Sequence, residues 1–389
     1  IFIIFHRSSI NNCKQYYNFN SLISDELKHN KYLYISGYSN IKSKNANLTN
    51  VLYTTNSLNK FSKEIILVVF APLKYIFRTK KEVSLIDHDL KLKKIIPVPF
   101  LEIKCIYFFY DVICLFLGLF YSRLGYKIYT RDCRLAIWLS KFKCKNIAVE
   151  LHDCTKRSIL CYKLCKTAYF FPISKGIIRE LKKLNISRKF KELPDAACLA
   201  KSSDFKCLNL SQNNIVYVGS SAKGKGINII EKLAIKNKHL NFHIVGYIKN
   251  KKKLLDKKIP NLKLHGFKNK NEISEFLLKA DLLIAPYEKE VFDNAGNQIT
   301  NYMSPLKIFE YMASKTPFIV SRMKFINDFL IEGIHCLMAN PEDIKEWSYK
   351  INLLIDNREI ANIMADNSFI LYKNNYTWDK RAEIINDFF

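Results

Sequence analysis

The second half of the chain alternates short apolar runs with longer amphipathic segments. Such runs are typical of buried strands, and apolar residues recur at helical spacing between them. The predicted strands are NIVYVG from Asn214, FHIVG from Phe242, LKLHG from Leu262, DLLIAPY from Asp281 and HCLMA from His335, and the predicted helices are Ile227 to Ala234, Glu272 to Lys279, a helix from Pro341, Arg358 to Tyr372 and Trp378 to Phe389. This order predicts a parallel sheet with helices on both faces.

The middle of the chain shows the same alternation. Strands are predicted for KIYT from Lys127, for Ile147 to Leu151 and for Ala168 to Ile173, and helices for Arg131 to Lys141, Ser158 to Lys166 and Ser174 to Leu184, the last capped by Ser174. Functional residues of such folds gather at the carboxyl ends of strands, where Arg131 and the pair His152-Asp153 fall. A purely structural role for His152 is the alternative.

The beginning of the chain is less regular. IFIIF is too short for a signal peptide and predicts a first buried strand. Tyr32 to Ser36 predicts a second strand, and Ser39 to Asn50 predicts a loop.

Two strongly apolar segments follow, Ile65 to Phe77 and Ile95 to Tyr121. The uncharged run from Val112 to Tyr121 is about half of a membrane span, so we expect a core helix. Docking to an anionic membrane is the alternative, because aromatic residues stand beside cations there. These cations are Lys74, Arg78, Lys80, Lys81, Arg123 and Lys127.

The stretch NYMSPLKIFEYMASKTPFIVS, Asn301 to Ser321, predicts a helix followed by a strand. Ser304 suits the capping position and Pro305 the first helical position. Leu306, Phe309 and Ala313 form an apolar stripe that would face the sheet.

The polar side chains of that helix are predicted to lie outside its apolar stripe or at the edge of it. Lys307 and Tyr311 are expected to point away from the stripe, whereas Glu310 borders it and needs a hydrogen-bonding partner. The start of a helix at the carboxyl end of a parallel sheet is suited to an anion such as phosphate. An ordinary amphipathic helix would show the same spacing.

Length and cysteine usage set the general class of protein. A chain of 389 residues is expected to form two domains of roughly 150 to 200 residues. The 11 cysteines show neither zinc spacing nor a disulfide framework, which indicates a reducing compartment. Cys161 and Cys165, one helical turn apart, are interpreted as packing residues.

The formal net charge of +27 favours anionic partners. An AT-rich coding sequence would also enrich lysine, asparagine and isoleucine without any selection for charge. The lysines are scattered and no basic block interleaved with aromatic residues is present, so nucleic-acid binding is not favoured.

A glycine-rich loop, GSSAKGKG from Gly219 to Gly226, lies between a predicted strand and a predicted helix. Small residues let the backbone approach a ligand, and Lys223 and Lys225 can neutralise phosphate. The loop has neither the Walker spacing nor the G-x-G-x-x-G fingerprint. A plain turn is the alternative.

Together, these features resemble the nucleotide-sugar glycosyltransferases of family 4, which have the GT-B fold. The motif SPLKIFEYMASKTPFIVS carries most of this resemblance, and YTWDKRAEIINDFF resembles the closing helix of that family. The resemblance implies an α/β fold of two Rossmann-like domains with parallel sheets facing a central cleft. The predicted boundaries are residues 1–190 for the acceptor-side domain, 191–213 for the linker, 214–372 for the donor domain and 373–389 for the closing helix.

The resemblance also implies roles in binding the donor. Glu310 matches the second acid of the E-x7-E signature, which holds the ribose hydroxyls. Lys225 matches the basic residue whose positive charge neutralises the leaving pyrophosphate. The amides of the turn around Ser304, Pro305 and Leu306 match the diphosphate contacts. Other residues expected at the donor are Gly219, Ser220, Lys223, Lys307, Tyr302 and Asn297.

In the first domain, the resemblance makes His152, in ELHD, the histidine that faces the donor sugar. Arg131 in YTRD and Asp195 in LPDA match further motifs of the first domain and the linker. Arg131 and Asp153 are expected on the acceptor side.

The chain departs from the family pattern in three places. Tyr302 stands where the first acid of the signature is expected, so the sugar hydroxyls would be recognised differently or by Asp293, Asn294 or Asn297. Ser220 replaces an expected arginine, which leaves Lys225, helped by Lys223, to carry the phosphate charge. SSINN replaces a Gly-Gly loop after the first strand.

The implied activity is transfer of a sugar from a UDP- or GDP-sugar to a glycan or lipid-linked glycan, with retention at the anomeric carbon. No cofactor or metal is expected, although Asp87-His88-Asp89 has the spacing of a D-x-D metal motif. The expected location is the cytoplasm, with contact to the inner face of the membrane left open. A nucleotide-sugar epimerase of the same fold is the alternative, and a basic nucleic-acid-binding protein a remote one.

Overall fold

A computed structural model describes residues 30–41, 46–79, 81, 83, 90, 92–100, 107–200, 213–249, 254–293 and 296–389. Within this part, the chain divides into two compact units. The first unit contains the described residues up to Val149, together with Leu164–Tyr169 and Ala382–Phe389. The second contains Glu150–Lys163 and Phe170–Arg381. The predicted domain boundaries at residues 190, 213 and 372 stay predictions.

From Lys31 to Phe190, strands and helices alternate along the chain, as predicted for a parallel α/β fold. They are β1 (Lys31–Asn40), α1 (Ala46–Phe61), β2 (Glu64–Pro72), a 3-10 helix (Leu73–Arg78), β3 (Lys94–Phe100), α2 (Tyr107–Arg123), β4 (Lys127–Thr130), α3 (Cys133–Lys141), β5 (Ile147–Leu151), α4 (Lys156–Leu164), β6 (Tyr169–Pro172), α5 (Lys175–Lys182) and β7 (Lys189–Phe190). The strands form a seven-stranded sheet in the order β3-β2-β1-β4-β5-β6-β7.

Two predictions for this part are wrong. The predicted loop Ser39 to Asn50 contains the end of β1 and the first turn of α1. Helix α1 is rich in Asn and Thr, which have weak helix propensity, so the sequence did not indicate a helix here. The predicted core helix Ile95 to Tyr121 is a strand followed by α2, one face of which is exposed. The predicted first strand IFIIF lies outside the described residues.

The last residues of the chain pack within the first unit. The ring of Phe389 lies 6.1 Å from that of Tyr32 and 5.2 Å from that of Tyr169. The Nζ atom of Lys127 donates a hydrogen bond to the carbonyl of Phe389. These contacts fix the end of the C-terminal helix on this sheet.

The remaining strands form a second, six-stranded parallel sheet. The elements are β8 (Asn214–Val218), α6 (Ile227–Lys236), β9 (Asn241–Val245), β10 (Leu262–Gly266), α7 (Lys270–Lys279), β11 (Leu282–Ala285), α8 (Leu306–Ala313), β12 (Phe318–Ser321), α9 (Lys324–Asn327), β13 (Leu337–Ala339), α10 (Ile344–Asp356), α11 (Arg358–Asn375) and α12 (Trp378–Phe388). The strand order is β10-β9-β8-β11-β12-β13. The predicted strands of this half are confirmed, and the carboxyl ends of β8 and β11 meet at the centre of the sheet.

Helix α8 packs on this sheet differently from the prediction. Ile308, Phe309, Tyr311, Met312 and Ala313 are all buried. Tyr311 was expected to point away from the sheet, but its hydroxyl donates to the carbonyl of Ile284 at 3.1 Å and accepts from the amide of Val218 at 3.0 Å. A tyrosine can be buried when its hydroxyl finds such partners, so its polarity did not indicate its direction.

None of the helices that the structure describes is both long and apolar enough to cross a membrane.

Candidate functional site

The glycine-rich loop begins directly after β8. Gly219 has a φ of +154°, and a Cβ atom at this position would lie 2.8 Å from both the Nζ atom of Lys307 and the hydroxyl of Tyr217. Glycine suits this position, because L side chains rarely adopt this backbone conformation and a Cβ atom would also collide with the ring of Tyr217.

The other end of the loop contacts the chain that follows β11. Gly226 precedes the first residue of α6 with a φ of +82°, and a Cβ atom there would lie 1.6 Å from the carbonyl oxygen of Pro286. The amide of Phe292 donates to the carbonyl of Lys223 at 3.0 Å. The loop is thus bound on both sides to the centre of the sheet.

The two lysines of the loop have different environments. The Nζ atom of Lys225 lies 5.3 Å from the centre of the Tyr287 ring, and burial lowers the pKa of Lys225 to about 8. Lys223 is exposed and lies over the ring of Phe292, at 4.3 Å. Lys223 also lines a cavity of about 280 Å³ whose walls do not include Lys225.

The start of α8 is built differently from the prediction. The first helical residue is Leu306, and its N-cap is Pro305, with no side-chain cap. The hydroxyl of Ser304 instead accepts a hydrogen bond from the amide of Asp195 at 2.9 Å. The predicted cap at Ser304 is wrong, because the ψ of 82° at Pro305 delays the helix by one residue.

Lys307 lies beneath the glycine loop. Its Nζ atom is buried and forms no hydrogen bond with a described residue. It lies 3.8 Å from the centre of the Tyr217 ring and 5.2 Å from that of Tyr287. Burial, and next the charge of Lys225, hold the pKa of Lys307 well below its usual value. The expectation that Lys307 points away from the sheet is wrong.

Glu310 lies one helical turn after Lys307. Burial raises the pKa of Glu310 to about 7, although the charges of Lys307 and Lys270 act in the opposite direction. A carboxylate so desolvated is a strong acceptor for a ligand's hydroxyl groups. The structure thus brings Gly219, Lys225, Lys307 and Glu310 together at the carboxyl end of the second sheet.

Tyr302 and Asn297, two further predicted donor residues, lie before α8. The carbonyl of Tyr302 accepts a hydrogen bond from the hydroxyl of Ser174 at 2.8 Å, and burial raises the pKa of its phenol. The side-chain amide of Asn297 donates to Asp293 at 2.9 Å. Asn297 therefore has a local partner within its own loop. Asn294 lies outside the described residues.

His152 follows β5 and belongs to a buried ionic cluster. Its Nε2 atom lies 2.6 Å from Glu150 Oε1, and the same oxygen lies 2.7 Å from an Nη atom of Arg381. Arg381, from α12, also donates to the carbonyl of Leu193 at 2.8 Å. Both Glu150 and Arg381 are fully buried, so the cluster fixes the orientation of the histidine ring.

Asp153 and Arg131, the predicted acceptor-side residues, have local contacts. The carboxylate of Asp153 accepts from the amide of Thr155 at 3.0 Å and from its hydroxyl at 2.9 Å. Arg131 belongs to the first unit, where its guanidinium donates to the carbonyl of Asn47 at 3.1 Å.

No group of three or more potential metal ligands occurs in the part of the chain that the structure describes. Asp87, His88 and Asp89 lie outside that part.

Several residues of the site were missed by sequence reasoning. Glu150 and Arg381 pair across a long sequence separation, and Tyr217 and Tyr287 read as ordinary strand residues. The one available signal was Arg381 itself, which stands among the apolar positions of the last helix.

The family of glycosyl transferases group 1 matches residues 212–357. This part of the chain is similar to a group 1 glycosyl transferase domain, and it contains the glycine loop, Lys225, Lys307 and Glu310.

A curated relative and several solved structures are similar to this chain. An uncharacterised glycosyltransferase of Methanocaldococcus jannaschii is 28% identical over 172 residues, which are 42% of this chain and 44% of that protein. HepE of Anabaena, solved in complex with UDP, is 12% identical with a TM-score of 0.67, covering 92% of this chain and 98% of HepE. A glycosyltransferase of Rickettsia africae is 12% identical with a TM-score of 0.69, covering 92% and 97%. The lipopolysaccharide outer core galactosyltransferase WaaB is 15% identical with a TM-score of 0.60, covering 92% and 98%.

These structures confirm the predicted fold class, an α/β fold with two parallel sheets of the GT-B type. The matched domain and the relatives support an enzyme of the glycosyltransferase class.

Proposed function

We propose that this protein is a family 4 glycosyltransferase that moves a sugar from a nucleotide diphosphate donor to an acceptor hydroxyl with retention. The observation that carries the proposal is that Lys225 and Glu310 both lie near Tyr287, which follows β11 at the carboxyl end of the second sheet. Both groups are desolvated, with pKa values moved to about 8 and about 7. Such groups are typical of ligand-binding sites.

The two charges match the two ends of a nucleotide diphosphate. Lys225 would neutralise the phosphates, and the carboxylate of Glu310 would accept hydrogen bonds from the ribose hydroxyls. HepE was solved with UDP and with UDP-glucose, which favours a uridine nucleotide as the first donor to test.

The proposed reaction breaks the bond between the anomeric carbon and the β-phosphate oxygen, whose electron pair leaves with the phosphate. The acceptor oxygen bonds to the anomeric carbon, and its proton passes to a phosphate oxygen on the same face of the sugar. Lys225 would stabilise the charge that develops on the leaving phosphate, which is the main electrostatic contribution to such a step. The His152 ring, held by Glu150, would face the donor sugar.

A thermal melting screen against UDP- and GDP-sugars tests this proposal. A ligand at about 100 times its Kd stabilises by about 2.7 kcal/mol, which raises Tm by several degrees for units of this size. We expect such a shift with one nucleotide sugar and a smaller shift with the free nucleoside. No shift with any nucleotide sugar would contradict the proposal, and conversion of the donor without an acceptor would indicate an epimerase instead.

We also propose that the acceptor is a membrane-proximal or lipid-linked glycan, reached at the inner face of the membrane. The exposed face of α2 supports this. Phe109, Phe116 and Phe120 are 60%, 67% and 57% exposed, and Ile113 and Leu124 continue the same face at helical spacing. An exposed apolar stripe of this kind is typical of an interaction surface.

Basic residues beside that face favour an anionic membrane as its partner. Cys144 Sγ lies 3.0 Å from Ser122 Oγ, which places the loop after α3 next to the end of α2. This loop exposes Phe142 together with Lys141, Lys143 and Lys145. Aromatic side chains rimmed by lysines suit the surface of an anionic bilayer.

Vesicle sedimentation tests the membrane contact. We expect the protein to bind vesicles that contain phosphatidylglycerol, and the double variant Phe116→Ser/Phe120→Ser to lose most of this binding. Tyr349→Ser, which removes an aromatic side chain that is 68% exposed in the second unit, is the matched control. Equal binding of vesicles by the double variant and by the wild type would contradict a membrane role for this face. If the wild type forms a dimer and the double variant does not, the face is a dimer interface, which would also contradict a membrane role.

A further inference from the structure

Two lysine amines, the buried one of Lys307 and the partly buried one of Lys225, lie near one aromatic ring at the glycine loop. The Nζ atoms of Lys225 and Lys307 lie 5.3 Å and 5.2 Å from the centre of the Tyr287 ring. Neither amine forms an ion pair with a carboxylate of the described residues. The buried amine of Lys307 is therefore held near a second, partly buried amine, and neither has a carboxylate of a described residue within ion-pair distance.

This arrangement has no structural justification in the unliganded protein. The cation–π contact with Tyr217, at 3.8 Å, offsets only part of the desolvation of an ammonium group. A methionine would fill the same space at no electrostatic cost. A lysine at position 307 is therefore explained best by an anion that completes the site.

The location of the amine indicates which part of a ligand it would contact. Lys307 Nζ is 2.8 Å from where a Cβ atom of Gly219 would be, so it lies directly beneath the loop that follows β8. The next residue, Ser220, carries no charge, and Lys223 is exposed beside Phe292. Among these loop residues and Lys307, the amines removed from bulk water are therefore the buried one of Lys307 and the partly buried one of Lys225.

We propose that Lys307 supplies the second positive charge of the diphosphate site, in the place where Ser220 leaves the glycine loop uncharged. Lys225 approaches the anion from the loop and Lys307 from helix α8. Two cations then face the two phosphates of the donor. This inference rests on the proposed function only for the identity of the anion, because any diphosphate could bind between the amines of Lys225 and Lys307.

Protonation follows from the same geometry. Burial, and next the charge of Lys225, hold the pKa of Lys307 well below its usual value, while the charge of Glu310 acts in the opposite direction. A bound diphosphate reverses this effect, because a nearby opposite charge favours the ammonium form. Binding is therefore coupled to proton uptake by Lys307.

Titration calorimetry with inorganic pyrophosphate, UDP and uridine tests the proposal. Lys307→Met and Lys307→Gln are expected to bind pyrophosphate and UDP at least about thirty-fold more weakly than wild type, and uridine within about three-fold. Lys236→Met, which removes an exposed lysine from α6, is the matched control and is expected to stay within about three-fold for all three ligands.

Proton uptake gives a second readout that a merely structural role would not change. In two buffers of different ionisation enthalpy, both variants should take up fewer protons per bound UDP than wild type. Without ligand, Lys307→Met should melt no lower than wild type, because it removes a desolvated amine.

Three results would overturn the inference: pyrophosphate affinity within about three-fold of wild type in both variants, unchanged proton uptake, or no pyrophosphate binding by wild type. Failure of the proposed function is distinguishable. If pyrophosphate binding depends on Lys307 but no nucleotide sugar binds or turns over, the anion site stands and the glycosyltransferase proposal falls.

Discussion

The protein buries charges at the ends of both sheets, but it treats them in opposite ways. Beside β5, Glu150 is compensated by Arg381 and by His152, at 2.7 Å and 2.6 Å. At the end of β8, the amines of Lys225 and Lys307 have aromatic rings as close partners, and no carboxylate of a described residue lies within ion-pair distance of them.

The difference separates a structural role from a ligand-binding role. A buried charge with its partners in place stabilises a particular geometry, and removing one partner leaves the other uncompensated. A buried charge without a partner destabilises the free protein and is retained where a ligand completes it. The first case describes the orientation of His152, and the second describes the proposed diphosphate site.

The largest expected effect is on stability. Arg381→Met leaves Glu150 buried without its guanidinium partner, so we expect the free energy of unfolding to fall by about 3–5 kcal/mol. Urea denaturation of the second unit measures this change. Adding Glu150→Gln to the variant should recover part of the loss. If Lys307→Met destabilised the protein as strongly as Arg381→Met, the distinction between the two regions would be wrong.

The next effect is on affinity. Lys225→Met removes one charge from the diphosphate site, so we expect UDP to bind about thirty-fold more weakly, with little change in the free energy of unfolding. Calorimetry and urea denaturation of the same sample measure both quantities. Lys236→Met is the control for net charge. A loss of stability without a loss of affinity would make Lys225 a structural residue.

The smallest effect is the pH dependence of UDP binding. Because the pKa of free Lys225 is lowered to about 8 and a phosphate raises it, the contribution of Lys225 to affinity should be constant well below pH 8 and fall by up to about tenfold per pH unit above it. Because the pKa of free Glu310 is raised to about 7 and hydrogen bonds from ribose lower it, affinity should also fall below pH 7.

The contributions of Lys225 and Glu310 therefore give a maximum between pH 7 and 8, and proton uptake by Lys307 adds to the fall in affinity as the pH rises. Calorimetry at constant ionic strength measures it. In Glu310→Gln, UDP affinity should no longer fall below pH 7. If affinity still falls below pH 7 in this variant, a group other than Glu310 is responsible for that fall.

Local patterns predicted much of the fold. Ile147 to Leu151 is a strand with the predicted bounds, and Ser174 caps α5 by accepting from the amide of Ile177. Both depend on near neighbours in sequence. Helix α1 escaped prediction because its Asn and Thr residues have weak helix propensity, and tertiary packing overrides that preference.

The candidate site was also predicted only where its residues stand in local sequence motifs. The glycine loop and Glu310 stand in local motifs, and the structure places both at one sheet end. Lys307 was given the wrong direction, because its burial depends on Tyr217 in a distant strand. The pairing of Glu150 with Arg381 likewise joins segments that no local pattern connects.

The most direct test of the central claim is the release of UDP from UDP-sugars by the wild type and by Glu310→Ala, measured at pH 7.5 with matched protein concentrations. We predict that the wild type turns over at least one nucleotide sugar, and that kcat/KM for that donor falls by about 100-fold in Glu310→Ala, which removes the charged acceptor of the ribose hydroxyls. Turnover by Glu310→Ala at wild-type efficiency would contradict the account.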